Sequence, residues 1–271
     1  MIRSKKHLER VLKCSFAELE KLAGQSEGFY YEKKELKRVN NRGKEFFREM
    51  YPSIGMLKKM QAIIKGAVLR KIPLNDCVYG GVKGKDSVLN AKAHQGRKYK
   101  FCTDLKNFFP SITSTMVYCS FIDHGFSSDI ARILTKLTTY KHKVPQGTPT
   151  SAHIANMVFT GIDKKLISLC EGKDIKYTRY VDDLTFSSPN SFKEETQTIL
   201  EIIKAHDFRI SNRKTKYVKG SLEITGARVR NNVLSPTDKF KKKLNHPDKY
   251  EQNQVKGHQT YYKRLKSVKI K

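Results

Sequence analysis

The sequence lacks any run approaching the roughly 18 apolar residues that a membrane-spanning helix needs, so no membrane association of that kind is expected. The first ten residues are basic, but Val11-Leu12 gives way at once to Lys13, leaving no apolar core for a signal peptide. Cysteine is sparse and scattered: Cys14, Cys77, Cys102, Cys119 and Cys170 are odd in number and form no C-x-x-C pair. That pattern argues against a zinc site and a disulfide framework, and suits reduced thiols in a cytoplasmic protein. There is no internal repeat and no Pro/Gly/Ser-rich linker. Acids are also scarce, with 26 Asp+Glu against 54 Lys+Arg in 271 residues, a formal net charge of +28. A compact fold carrying that excess repels itself unless a polyanion lies against it, and nucleic acid is the leading partner.

With 38% hydrophobic residues the chain can bury a sizeable core. Ser15 followed by Glu18 has the form of a capping box at a helix start. Residues 31–49 are strongly basic, with Asn40-Asn41-Arg42-Gly43 as a turn between two strands. Ile54, Leu57, Met60, Ile63, Ile64, Ala67 and Val68 keep helical spacing and predict an amphipathic helix over 53–70. Tyr99 to Asp104 alternates like a strand that ends on an acid. Helices are expected at 113–124, 128–140 and 149–170, the last begun by Pro149, with a loop over 141–147. Ile175 to Ser187 reads as two strands folded about Asp182-Asp183, followed by a helix over 191–206 and an extended stretch at 208–211. A hairpin turning at Lys219-Gly220 is expected within 216–228, and a basic helical stretch over 236–271. The order is that of an α+β fold, with helices covering one face of an antiparallel sheet.

The acids in this pattern suggest a chemistry. Phosphoryl transfer to a 3′-hydroxyl uses two divalent cations roughly 3.5–4 Å apart. Mg²⁺ takes oxygen ligands, a few from protein and the rest from phosphates and water. A strand ending in Asp104 and a hairpin tip carrying Asp182-Asp183 can supply carboxylates to one sheet edge. An Asp-Asp pair alone is more often a solvated turn, but Tyr180-Val181 and Leu184-Thr185-Phe186 flank this one with strand formers. Spacing by itself does not name an activity.

The motifs in combination do resemble a family. Thr103-Asp104-Leu105-Lys106-Asn107-Phe108-Phe109-Pro110-Ser111-Ile112 resembles motif A of reverse transcriptases. Val144-Pro145-Gln146-Gly147-Thr148-Pro149-Thr150-Ser151 resembles their motif B, and Tyr180-Val181-Asp182-Asp183 their motif C, in the family's order. The resemblance implies a right-hand polymerase fold with fingers, a palm (an antiparallel sheet backed by helices) and a short helical thumb. It places the N-terminal region and fingers at 1–98, the palm with inserted fingers helices at 99–230, and a short basic thumb at 231–271. It assigns Asp104, Asp182 and Asp183 to two Mg²⁺ ions, and Phe109 to a position under the incoming sugar that favours dNTPs. Gln146 and Gly147 would line the nucleotide pocket. Lys214 resembles the motif D lysine that protonates pyrophosphate. Arg48 resembles the fingers arginine that grips the triphosphate, with Lys44 assisting, although its spacing to Pro52 is one residue shorter than the pattern.

Two shorter segments resemble retron enzymes within that family: Asn90-Ala91-Lys92-Ala93-His94 matches N-A-x-x-H, and Ile224-Thr225-Gly226 matches V-T-G with Ile for Val. That likeness implies a cognate structured non-coding RNA, priming from a guanosine 2′-hydroxyl, and a branched RNA–DNA hybrid product (msDNA). It also implies anti-phage defence with an effector protein. Asn90, His94, Lys241, Lys242, Lys263 and Arg264 are then candidates for RNA binding. In the basic tail, which also holds Lys239, Lys243, Lys266 and Lys269, Tyr261 and Tyr262 would stack or pack. Only 45 residues follow Gly226, so the thumb is expected to be short, with no room for an RNase H-like addition. A non-retron bacterial defence or group II intron-like reverse transcriptase, an RNA-dependent RNA polymerase and an RNA-binding scaffold remain as alternatives.

Overall fold

The structure, a computed structural model, describes residues 1–39, 42–230 and 233–267. The turn expected at Asn40-Asn41 and the tail residue Lys269 lie outside the described residues. In chain order the first elements are α1 (Lys5–Leu12), α2 (Phe16–Gly24), β1 (Lys33–Val39), β2 (Glu45–Met50), α3 (Gly55–Ala67) and α4 (Ser87–Lys92). Next come β3 (Tyr99–Asp104), α5 (Phe108–Ser111), α6 (Ser114–Asp123), α7 (Ser128–Thr138) and α8 (Ser151–Cys170). Then follow β4 (Lys176–Tyr180), β5 (Asp183–Ser188), α9 (Glu195–Lys204), β6 (Lys216–Lys219), β7 (Leu222–Ile224) and β8 (Ala227–Val229). The last are β9 (Leu234–Pro236), α10 (Asp238–Asn245) and α11 (Gln252–Ser267).

The chain forms two compact units that interleave in sequence. One comprises Met1–Leu74 and Asn107–Thr160, the other Asn75–Lys106 and Gly161–Lys271. In the first unit the Ser15 capping box forms as expected: its hydroxyl accepts from the Glu18 N–H while the Glu18 carboxylate accepts from the Ser15 N–H. Strands β1 and β2 form a separate antiparallel hairpin. Buried Gln61 on α3 ties three segments together, donating to Tyr30 Oη (3.0 Å) and the Leu137 carbonyl (2.9 Å) and accepting from Ser53 Oγ (2.7 Å).

The second unit is built on a four-stranded antiparallel sheet in the order β4-β5-β3-β6. Register places Tyr177, Phe186 and Phe101 side by side, and the Tyr177 and Phe186 rings stack with centroids 4.6 Å apart. The opposite face carries Thr178, Thr185 and Cys102. A second sheet, β7-β8-β9, packs against α4 and α11 through Val88, Ala91, Ile224, Ala227, Val229 and Leu265, all buried.

Two expectations need correction. The expected hairpin at Lys219-Gly220 does not form, because β6 pairs with β3 and not with β7. Gly220, at φ +101°, instead bends the chain from one sheet to the other while its N–H donates to the Lys98 carbonyl (2.7 Å). The tight turn lies six residues on, where Thr225 (φ 44°) and Gly226 (φ 87°) join β7 to β8 with the two positive φ angles of a type I′ connection. Helix α8 starts at Ser151, two residues after Pro149. There the Ser151 hydroxyl donates to the Pro145 carbonyl (2.6 Å) and accepts from the Thr148 N–H (3.3 Å), which folds the preceding loop onto the helix start.

Truncating Leu265→Ala should destabilise the second unit by about 2–5 kcal/mol, the usual range for a fully buried leucine. Urea denaturation monitored by circular dichroism reads this directly.

Candidate active site

The acidic cluster follows from strand register. Asp104 ends β3 and stands directly opposite Asp183, which opens β5. The Leu105 N–H donates to the Asp182 carbonyl (3.0 Å), so the hairpin tip is stitched to the end of motif A by backbone as well. Asp104 is nearly buried, its side chain 8% exposed. Burial pushes the Asp183 carboxyl up to about 7, and the adjacent Asp182 and Asp104 charges add to that, with Lys214 opposing. Desolvation and like charges of this kind shift a carboxyl toward its protonated form.

Lys214 lies in the short 3₁₀ turn Asn212–Lys214 and its ammonium donates to Asp104 Oδ2. Desolvation alone would lower its pKa, but the hydrogen bond to Asp104 and the three nearby aspartates hold it above the ordinary lysine value. The segment carrying it is anchored by the Ser211 N–H, which donates to the Asp104 carbonyl (2.8 Å). The donor set offered here is all oxygen, which suits a hard divalent cation. Among the described residues no three His, Cys, Asp or Glu side chains already stand together as a metal-binding group. The paired acids Asp104 and Asp183 suit such a cation, and the ammonium of Lys214 offsets part of their charge.

Behind the acids, the loop Val181-Asp182 joins β4 to β5. Val181 adopts φ 59°. A β-branched residue in that region is an outlier, at a cost of about 1–3 kcal/mol, and persists only where its surroundings hold it. Arg179 on β4 and Asp163 on α8, both with fully buried side chains, form an ion pair there with Nη2–Oδ2 at 2.7 Å and Nε–Oδ1 at 3.0 Å. Desolvation would lower the Arg179 pKa, but Asp163 raises it further still, so the guanidinium is charged throughout. Sequence reasoning missed this pair. No local signal marks it, since Asp163 precedes Lys164-Lys165 and Arg179 sits between Thr178 and Tyr180.

The remaining predicted residues divide between the units. Phe109 sits half-buried on α5 with its ring 5.6 Å from that of Phe108. Arg48 is exposed on β2, paired across the hairpin with Glu35. The Tyr51 N–H donates to the Gln146 carbonyl (2.8 Å), which fastens the end of that hairpin to the motif B loop. Gly147 has φ +101°, and a Cβ there would lie 3.3 Å from Pro52 Cγ. Both the backbone conformation and the close approach call for glycine. These four residues all belong to the first unit, the acids and Lys214 to the second.

Asn90 and His94 correct the expectation that they meet RNA at the surface: both are 0% exposed. Asn90 donates to Thr225 Oγ1 (3.4 Å), and Thr225 donates to the Ser87 carbonyl (2.8 Å), so the two retron-like segments touch each other. His94 bonds Ser187 Oγ on β5 (2.6 Å) and Thr178 Oγ1 on β4 (2.7 Å). In the tail, Lys242 and Lys263 are exposed, Lys241 pairs with Asp238 and Arg264 pairs with Asp86. Tyr261 packs against Phe240 with centroids 4.8 Å apart.

A profile described as reverse transcriptase (RNA-dependent DNA polymerase) matches residues 44–230. The chain belongs to the reverse transcriptase family. Among curated reverse transcriptases it is 32% identical to the retron Ec86 enzyme of Escherichia coli over 164 residues, 60% of this chain and 49% of that protein. It is 29% identical to the retron Ec48 reverse transcriptase of Escherichia coli over 239 residues, 82% of this chain and 58% of that protein. Likewise it is 29% identical to the retron Se72 reverse transcriptase of Salmonella heidelberg (strain 579083-10) over 198 residues, 69% and 52% respectively. The chain thus spans about half the length of the curated relatives it matches. Similar solved structures include apo telomerase from Candida Tropicalis, truncated from its C-terminal domain (TM-score 0.54, 12% identity, 78% of this chain and 55% of that one). Telomerase from Candida albicans in complex with a TWJ fragment of telomeric RNA also matches (TM-score 0.52, 9% identity, 81% and 49%). At such identities the likeness shows the fold alone, a right-hand polymerase fold. Among the described residues no helix is long and apolar enough to cross a membrane.

Burial pushes His94 down to about 3, with Arg97, Lys100 and Lys176 adding repulsion. The unfolded histidine binds its proton near pH 6.5 while the folded one resists it, so the unfolded state holds the extra proton between these values. The stability that neutral His94 contributes is complete above about pH 6.5 and is lost as pH falls toward 3. His94→Gln should flatten the fall of unfolding free energy with acid by up to about 1.4 kcal/mol per pH unit, measured by denaturation at several pH values.

Proposed function

We propose that this reverse transcriptase is an RNA-directed DNA polymerase of retron type that extends a primer on a cognate structured RNA by two-metal nucleotidyl transfer. The observation that carries the reading is the register pairing of Asp104 with Asp183 beside Asp182. The likeness to curated retron reverse transcriptases supports the retron assignment.

In this reading Asp104, Asp182 and Asp183 hold two Mg²⁺ ions. When bound, these lower the pKa of the attacking 3′-hydroxyl and stabilise the charge on the leaving pyrophosphate. With cations bound, Asp183 would favour its ionised form and Lys214 would be freed from Asp104. A lysine's ordinary pKa of about 10.4 would keep the freed ammonium protonated near neutral pH, so it could give a proton to pyrophosphate. Phe109 lies under the incoming sugar and its ring excludes a 2′-hydroxyl, while Gln146 and Gly147 line the nucleotide pocket and Arg48 meets the triphosphate. The net charge of +28 takes up the RNA and the RNA–DNA hybrid through phosphate contacts, with Lys242 and Lys263 among the exposed cations. The product is msDNA, branched 2′–5′ from the priming guanosine. The complex acts in cytoplasmic anti-phage defence with an effector protein.

Primer extension on an RNA template should proceed with dNTPs and fail with NTPs. Asp182→Ala should abolish it, and Phe109→Ala should admit ribonucleotides. Preference for NTPs, or synthesis by Asp182→Ala, would overturn the reading. RNA affinity should fall by orders of magnitude between low and moderate salt, as measured by filter binding. A flat response would mean the positive charge is not directed at phosphates.

A further inference from the structure

The tip of the motif C hairpin is a place where the backbone is held against its own preference. Val181 is β-branched at φ 59°, beside Asp182 and two residues from Asp183. Two contacts converge on it. Arg179 donates from Nη1 to the Val181 carbonyl at 3.1 Å, with Nε and Nη2 already engaged by Asp163. Asp163 is itself fixed by Tyr177, whose hydroxyl donates to Oδ1 at 2.7 Å. From the other side Gly80 packs so closely that a Cβ there would lie 2.4 Å from the Val181 nitrogen. Residues 77–80 are held along β4 by the Arg179 N–H donating to the Cys77 carbonyl and the Tyr79 N–H donating to the Arg179 carbonyl, both at 2.8 Å.

We propose that Asp163 and Arg179 are positioning residues, whose buried ion pair pins the Val181 carbonyl and so holds the left-handed turn that aims Asp182 and Asp183 at the metals. This deepens the proposed function and rests on it. An ion pair serving stability alone has no need of a third donor directed at a strained turn. A buried pair of this kind is also poor evidence of stabilisation, since apolar replacements of similar volume are often neutral or better. The guanidinium suits the task because its planar fork binds a carboxylate with one edge and leaves a further N–H for a carbonyl. A lysine offers its three donors from a single atom, without the fixed fork that spans the two acceptors.

The test compares wild type, Arg179→Lys, and the double replacement Asp163→Leu with Arg179→Met. Primer-extension kinetics, thermal melting, and amide exchange of the metal-free protein over the peptides containing Val181 and Leu105 are the readouts. The proposal expects the double variant to melt near the wild-type temperature, yet to lose kcat by about 10- to 100-fold, the scale of an ångström's misplacement. Its KM for dNTP should change little, and exchange at Leu105, whose N–H is bonded to Asp182, should quicken. Adding Val181→Gly to Arg179→Lys should restore part of kcat, because glycine takes a positive φ without help. Wild-type kcat and exchange in the double variant would overturn the proposal, as would no recovery on adding Val181→Gly. Should the double variant fail to fold, Gly80→Ala displaces the same turn while leaving the ion pair in place, and unchanged kcat and exchange there would overturn it equally. If wild type extends no primer, the functional reading fails, while the exchange data still decide whether the pair holds the turn.

Discussion

Two carboxylates facing each other across an antiparallel strand pair repel, and the second unit is organised around making that encounter tolerable. The β3–β5 register puts Asp104 opposite Asp183, and every other strand contact is consistent with that alignment. A slip of β5 by one residue would turn Phe186 off the face it shares with Phe101 and send Asp183 to the apolar side. The rings of Phe101, Phe186 and Tyr177 therefore specify, by burial, where the acids stand. Lys214 supplies a cation to the cluster in the absence of metal, and its anchoring turn is tied to the Asp104 backbone.

The hairpin that carries two of the acids is gripped on both faces. On one, His94 bridges Thr178 and Ser187 across β4 and β5. On the other, Asp163 holds Arg179. Neither contact uses a residue that could meet a substrate, since all five anchoring groups are buried. Rigid support of this kind suits a site whose ligands must be placed before the cations and the nucleotide arrive. It also gives the retron-like N-A-x-x-H segment a physical task inside the fold: α4 packs against the β7–β8 hairpin, and His94, just beyond it, reaches the catalytic strands.

Much of the fold was legible from local pattern. Tyr99 to Asp104 alternates as a strand should, the acids Asp182-Asp183 are bracketed by strand formers, and Ser15 with Glu18 formed the expected cap. What failed to read locally was pairing between distant segments. Lys219-Gly220 has the composition of a hairpin turn, but β6 is claimed by β3, some 115 residues earlier, and nothing in the nearby residues records that. Asn90 and His94 became candidates for RNA binding through the likeness to the retron element. Their burial depends on hydroxyls from Thr225, Thr178 and Ser187 that only the folded chain brings to them. The Asp163–Arg179 pair was hidden for the same reason, because helix and strand must stack before either charge has a partner.

The central claim is that Asp104, Asp182 and Asp183 act as one divalent-metal centre. Titrating Mn²⁺ into the protein with primer–template and a non-hydrolysable dNTP, followed by electron paramagnetic resonance, tests it most directly. Wild type should take up two ions that Asp104→Asn and Asp183→Asn fail to hold. Equal uptake by all three proteins would contradict the account.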